Sequence, residues 1–140
     1  MIAKSPVPIR RVFMPLGKSR PGTKRSGLLG VTIHNTGNYS VGANAEMHRR
    51  YQHGSGAHNY TSYHYVVDDK EIIQLIPEDE ISWHAGDGAT GKGNNQTISI
   101  EICVNKDGDL LKATNNATWL TADILWRHKI PHARIYQHYD

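Results

Sequence analysis

Two runs of alternating apolar and polar residues constrain this chain more than any other feature. In residues 28–36, Leu-Leu-Gly-Val-Thr-Ile-His-Asn-Thr, Val31 and Ile33 alternate with Thr32 and His34. A period of two belongs to a strand with one buried face, so Thr32 and His34 share the face opposite the core. Residues 97–103 repeat the pattern: Ile98, Ile100 and Ile102 point one way, Thr97, Ser99, Glu101 and Cys103 the other. If the two strands are neighbours, a carboxylate and an imidazole occupy one polar face of a sheet.

The chain ends on a third strand-like segment, residues 134–138, in which Ile135 and Tyr136 precede His138. Two separated histidines and one strand carboxylate are the parts of a zinc hydrolase site. Between these segments, helices and strands alternate without an internal repeat. Ser40 is the expected N-cap of a helix of about ten residues ending before Gly54, with Ala43, Met47 and Tyr51 on one face. Residues 62–67 and 71–76 read as a hairpin around Asp68-Asp69-Lys70. Alternation there puts Tyr63 and His64 on opposite faces and gives His64 a hydrogen-bonding role in the core.

Residues 82–95 are too rich in Gly and Asn for regular structure and carry a Trp83-His84 pair, which favours a functional loop. A helix is expected over residues 114–129, apolar on most sides, with Trp119 and Trp126 in the core. His48, His53, His58, His128 and His132 read as solvated or as lying near helix ends.

The chain has 140 residues, 38% of them apolar and 21% charged, which fits one soluble globular domain with a sizeable core. No apolar run approaches a membrane span, and no secretory signal is visible, so synthesis in the cytoplasm is expected. Cys103, the lone cysteine, reads as a buried thiol. The net charge of +3 is uneven. Residues 1–26 hold seven of the sixteen Lys and Arg and no acid, so the remainder is net negative. Residues 1–27 therefore read as a basic, Pro-containing arm packed on or extended from a domain at 28–140. An arm of this charge could meet nucleic acid, a membrane surface or a wall polymer, but it lacks the interleaved aromatics of a single-strand binder, and no nucleic-acid partner is expected.

Five segments occur in the order and spacing of a known family. Ile33-His34-Asn35-Thr36, Tyr63-His64-Tyr65, Trp83-His84-Ala85-Gly86-Asp87-Gly88, residues 98–103 and Gln137-His138-Tyr139-Asp140 resemble the type 2 N-acetylmuramoyl-L-alanine amidases. These are zinc enzymes of phage endolysins and bacterial wall-lytic proteins, related to the peptidoglycan recognition proteins. The resemblance covers residues 28–140. It implies an α/β domain, a central mixed sheet flanked by helices, with a zinc groove on one side.

The resemblance further implies that His34 and His138 bind zinc, that Glu101 is the catalytic carboxylate and that Tyr63 assists at the oxyanion. Trp83, His84, Asn35 and Thr36 would line the groove for peptidoglycan. The bond cut would join the lactyl group of N-acetylmuramic acid to L-alanine, and the protein would reach the wall after release or lysis. The family's third ligand falls past Asp140, so the chain is expected to be a fragment, unless Asp140 or His132 substitutes. A non-catalytic peptidoglycan-recognition module is the alternative.

Overall fold

The computed structural model describes residues 2–137; the expectations for His138 and Asp140 lie outside the described residues. Six strands form one mixed sheet in the order β1-β4-β3-β5-β2-β6. They are β1 (Ile9–Arg11), β2 (Gly30–Asn35), β3 (Tyr65–Val67), β4 (Ile72–Gln74), β5 (Thr97–Ile102) and β6 (Ile135–Gln137). The β3–β4 hairpin is antiparallel and every other pairing is parallel. Parallel neighbours need crossovers. The chain between β2 and β5 lays helix α1 (Ala45–His53) on one face, and helix α3 (Leu110–His128), between β5 and β6, covers the other.

On the α3 face, Val31, Ile98 and Ile100 pack with Tyr65, Val67 and Ile72 against Leu120, Ile124 and Leu125. Burying each aliphatic side chain contributes about 1.5–3 kcal/mol. The apolar sides of both alternating runs thus face where expected. The opposite side is not an open polar surface. Thr32, Thr97 and Ser99 are buried there, and Thr32 Oγ1 donates to Thr97 Oγ1 at 2.8 Å. A second core of Val66, Ile73, Leu75, Cys103, Ala45 and Met14 fills that side, with Cys103 buried as expected. Glycine is required at Gly30, where a Cβ would lie 2.1 Å from the Arg134 carbonyl oxygen.

Several boundaries differ from the sequence reading. The N-cap of α1 is Asn44, whose Oδ1 accepts from Met47 N at 3.0 Å, and Ser40 stands in the preceding turn. The buried face of α1 is Ala45, His48 and Gln52, while Tyr51 is exposed. Helix α3 begins at Leu110, four residues early, because Asp109 caps it through Lys112 N. Trp126 is 55% exposed and no core residue, whereas Trp119 packs at the edge of the α3-side core. The Gly- and Asn-rich loop contains a short helix, α2 (Lys92–Gln96), where Asp87 accepts from the N–H groups of Gly93 and Asn94.

The basic N-terminal segment supplies a strand. β1 extends the sheet beside β4, Met14 is buried, and Lys24 bridges to Glu80. Three of its seven charges are in ion pairs among the described residues: Arg10 with Glu46 and Glu71, Lys24 with Asp79, and Arg20 with Glu80 through two hydrogen bonds at 3.0 and 2.9 Å. The strand is not visible in the sequence because an exposed edge of three residues needs no alternation.

Candidate active site

β2 and β5 run in parallel with His34 directly opposite Glu101, both on the α1 side at the carboxyl ends of their strands. That end of a parallel sheet is where the chain leaves room for ligands. β6 lies along the other edge of β2, with Gln137, the residue before His138 in sequence, opposite Ile33.

His34 is held by a chain of hydrogen bonds that fixes its protons. His84 Nε2 lies 2.9 Å from the carbonyl oxygen of Gly93, which can only accept, so Nε2 carries hydrogen. In the neutral ring His84 Nδ1 then accepts from His34 Nε2 at 2.9 Å. A neutral His34 consequently carries its lone pair on Nδ1. A second partner that fixes the tautomer is the usual support of a metal-binding imidazole. The loop that delivers His84 is itself anchored: Asn94 Oδ1 accepts from the N–H groups of both His84 and Ala85 at 2.8 Å.

Glu101 closes a cavity of about 300 Å³. Thr36 and Asn38 come from the loop after β2, Met47, His48, Tyr51 and Gln52 from α1, and Thr61 and Tyr63 from the segment entering β3. Glu101 Oε2 is buried without a hydrogen-bond partner among the described residues, and burial pushes the carboxyl up to about 8. Burial also drives the Tyr63 phenol far above its ordinary value, with the Glu101 charge adding to it, so the hydroxyl keeps its proton as a donor.

Some sequence-based expectations hold here and others need correction. Tyr63 and His64 lie on the same side of the sheet, since His64 bonds Ser99 and Tyr63 meets Glu101, two residues that share a face of β5. The alternation fails because both residues precede β3. His64 is nonetheless the core residue expected: fully buried, it contacts Ser99 Oγ at 3.1 Å and Glu80 O at 2.7 Å, and desolvation lowers its pKa to about 3. Trp83 donates its indole N–H to Lys18 O at 3.0 Å, and Asn35 Oδ1 accepts from Gly37 N. His48, expected to be a solvated bystander, is instead buried in the cavity wall, and beside it stands Gln52, which no sequence motif singles out. The one signal for either is a spacing of four on an expected helix, which puts both on one face. His132 is exposed in a 3-10 turn before β6.

Among the described residues no three His, Cys, Asp or Glu side chains form a metal-binding group. The described donor set nevertheless fits a share of one, with an imidazole lone pair fixed by its partner and a neighbouring carboxylate oxygen without one.

A sequence profile for N-acetylmuramoyl-L-alanine amidase matches residues 24–140. The chain belongs to this amidase family. CwlH of Bacillus subtilis (strain 168), an N-acetylmuramoyl-L-alanine amidase, is 42% identical over 133 residues, covering 94% of this chain and 52% of that protein. XlyA of the same strain, also an N-acetylmuramoyl-L-alanine amidase, is 46% identical over 127 residues, 90% of this chain and 41% of that one. The chain therefore spans about half the length of these relatives, or less. The structure of the XlyA catalytic domain superposes with a TM-score of 0.86 at 44% identity, covering 94% of this chain and 84% of that one. Drosophila PGRP-LB shares the fold alone, at a TM-score of 0.63 and 17% identity. The α/β architecture and the family expected from the five segments both hold, and members of this family are typically zinc-dependent.

Proposed function

We propose that this chain hydrolyses the amide joining the lactyl group of N-acetylmuramic acid to L-alanine of the peptidoglycan stem, and that its site of action is the cell wall. The observation that carries this reading is the Glu101 carboxyl at a strand end, in register with His34, with its Oε2 buried and unpartnered among the described residues. A purely wall-binding module has no use for such a group, which costs stability and is found where proton transfer is needed.

Glu101 takes a proton from the attacking water and returns one to the leaving amine. Burial brings its pKa to about 8, close to neutrality, where a carboxyl does both. Tyr63, held protonated, donates a hydrogen bond to the oxygen that gains charge. His34 and His138 are the residues that would hold zinc, with Nδ1 the lone-pair atom of His34. Zinc, when bound, supplies Lewis-acid polarisation of the scissile carbonyl and a water of lowered pKa. His84 is a positioning residue for His34, and Thr36 lines the groove. Trp83 and Asn35, engaged with Lys18 and Gly37, shape the loops around the site.

The test is release of L-alanine amino groups from purified wall by the zinc-supplied protein. Glu101→Gln is expected to abolish release, and His34→Ala to lose both release and bound zinc. Full activity in either variant would refute the assignment.

A further inference from the structure

Four buried side-chain nitrogen and oxygen atoms lack a partner among the described residues, and three of them belong to residues lining the same 300 Å³ cavity: Glu101 Oε2, His48 Nε2 and Gln52 Oε1. The first is accounted for by proton transfer. The other two are not. His48 is 9% exposed and Gln52 2%, so neither is satisfied by bulk solvent. Buried polar groups without partners are rare because each one destabilises the fold, so two in one wall need a reason.

We propose that His48 and Gln52 form a subsite that reads a carboxamide of the stem peptide beside the scissile bond. This rests on the amidase reading above and adds a selectivity to it. One helical turn apart on α1, the two side chains project from the same face into the cavity. Gln52 Oε1 is an amide oxygen and so an acceptor, and it has no partner among the described residues. Burial keeps the His48 ring neutral, so Nε2 can donate without bringing a charge. A carboxamide satisfies both atoms at once, its N–H donating to Gln52 Oε1 and its carbonyl accepting from His48 Nε2. A carboxylate only accepts. It would leave Gln52 Oε1 facing another oxygen, in a buried wall shared with Glu101. A site built to hydrogen-bond a group discriminates strongly against an analogue that leaves its buried atoms unpaired.

The experiment compares N-acetylmuramoyl-L-alanyl-D-isoglutamine with N-acetylmuramoyl-L-alanyl-D-glutamate, which differ by a carboxamide against a carboxylate. Amine release is followed with the zinc-supplied full chain. The wild type is expected to prefer the carboxamide by at least about tenfold in kcat/KM. Gln52→Met and His48→Phe are expected to erase the preference, mainly through KM, with Tm unchanged or raised because each removes an unpartnered atom. Equal kcat/KM for the two probes in the wild type would overturn the subsite, as would a preference that survives in both variants. The wild-type ratio decides the matter even if a variant fails to fold. No amine released from either probe would instead strike at the amidase reading itself, and the subsite would fall with it.

Discussion

Glu78 and Glu101 sit on opposite sides of one sheet, both mostly buried, and their acidities move in opposite directions. Glu78 borders a cavity of about 810 Å³ on the α3 side. Burial works against its ionisation, but hydrogen bonds from Arg127, Tyr65 and His128 outweigh this and hold its pKa at about 2. Glu101 is pushed to about 8 by burial and has no compensating donor. The larger cavity has its acids paired, with Arg25 Nη1 the one unpartnered buried side-chain atom among its described lining residues; the smaller has three such atoms. Cavity size therefore says less about chemistry than the state of the polar atoms in the wall.

The comparison can be broken most directly by Glu101→Gln. Activity should fall by two to four orders of magnitude, roughly the worth of a general acid–base. Tm should hold or rise, because a carboxyl whose ionisation burial disfavours is removed. A substantial fall in Tm would make Glu101 a structural residue. Glu78→Gln should show the reverse: a loss of about 2 kcal/mol in chemical denaturation, since Arg127 and His128 lose a shared partner, with amidase activity per folded molecule unchanged.

The pH dependence sharpens the contrast. Because the folded pKa of Glu78 lies below its ordinary 4.5, its contribution is present above pH 4.5 and lost as pH falls towards 2. His64, depressed from 6.5 to about 3, adds to the same acid limb, since the unfolded ring gains a proton first. Glu101 runs the other way. Its folded pKa lies above 4.5, so its contribution is present below 4.5 and lost as pH rises through 8. A tenfold change in acidity corresponds to about 1.4 kcal/mol, so effects on the order of a few kcal/mol are expected in metal-free protein. Tm against pH should lose part of its acid slope in Glu78→Gln, with the His64 contribution remaining, and its slope between pH 5 and 8 in Glu101→Gln; unchanged curves would remove the distinction.

Smaller effects come next. His84→Ala should weaken zinc binding about 10- to 100-fold, read by competition with a chelator, while Thr97 and the rest of β5 stay in place. Asn44→Ala and Asp109→Ala each remove an N-cap and should cost about 1 kcal/mol. Only the first loosens the helix that carries His48 and Gln52, so only the first should raise KM.

Much of this contrast is legible in the sequence, and the reasons for the rest are physical. Alternation puts His34 and Glu101 on polar faces, but their adjacency is a register between strands some sixty residues apart, and only the resemblance to a known family joins them. His48 and Trp126 depart from expectation because residue type does not fix environment. A histidine under a helix and a tryptophan on its outer side are decided by which face the sheet covers. Ser40 and Asn44 are both good caps, and a turn with Gly42 at φ 81° selects the second. The hairpin is readable because Asp68 is the turn: its Oδ1 accepts from Lys70 and Glu71, and its Oδ2 from Ala45.

β1 has a practical consequence. It is three residues long, exposed, and carries Arg10 and Arg11, features that discourage one sheet from adding onto another. Behind it lies β4, buried along its length. Trimming the chain back to residue 12 would uncover the backbone of Ile72–Gln74 as a template for intermolecular pairing, and the preparation would be lost to aggregates before any shortfall in catalysis could be measured.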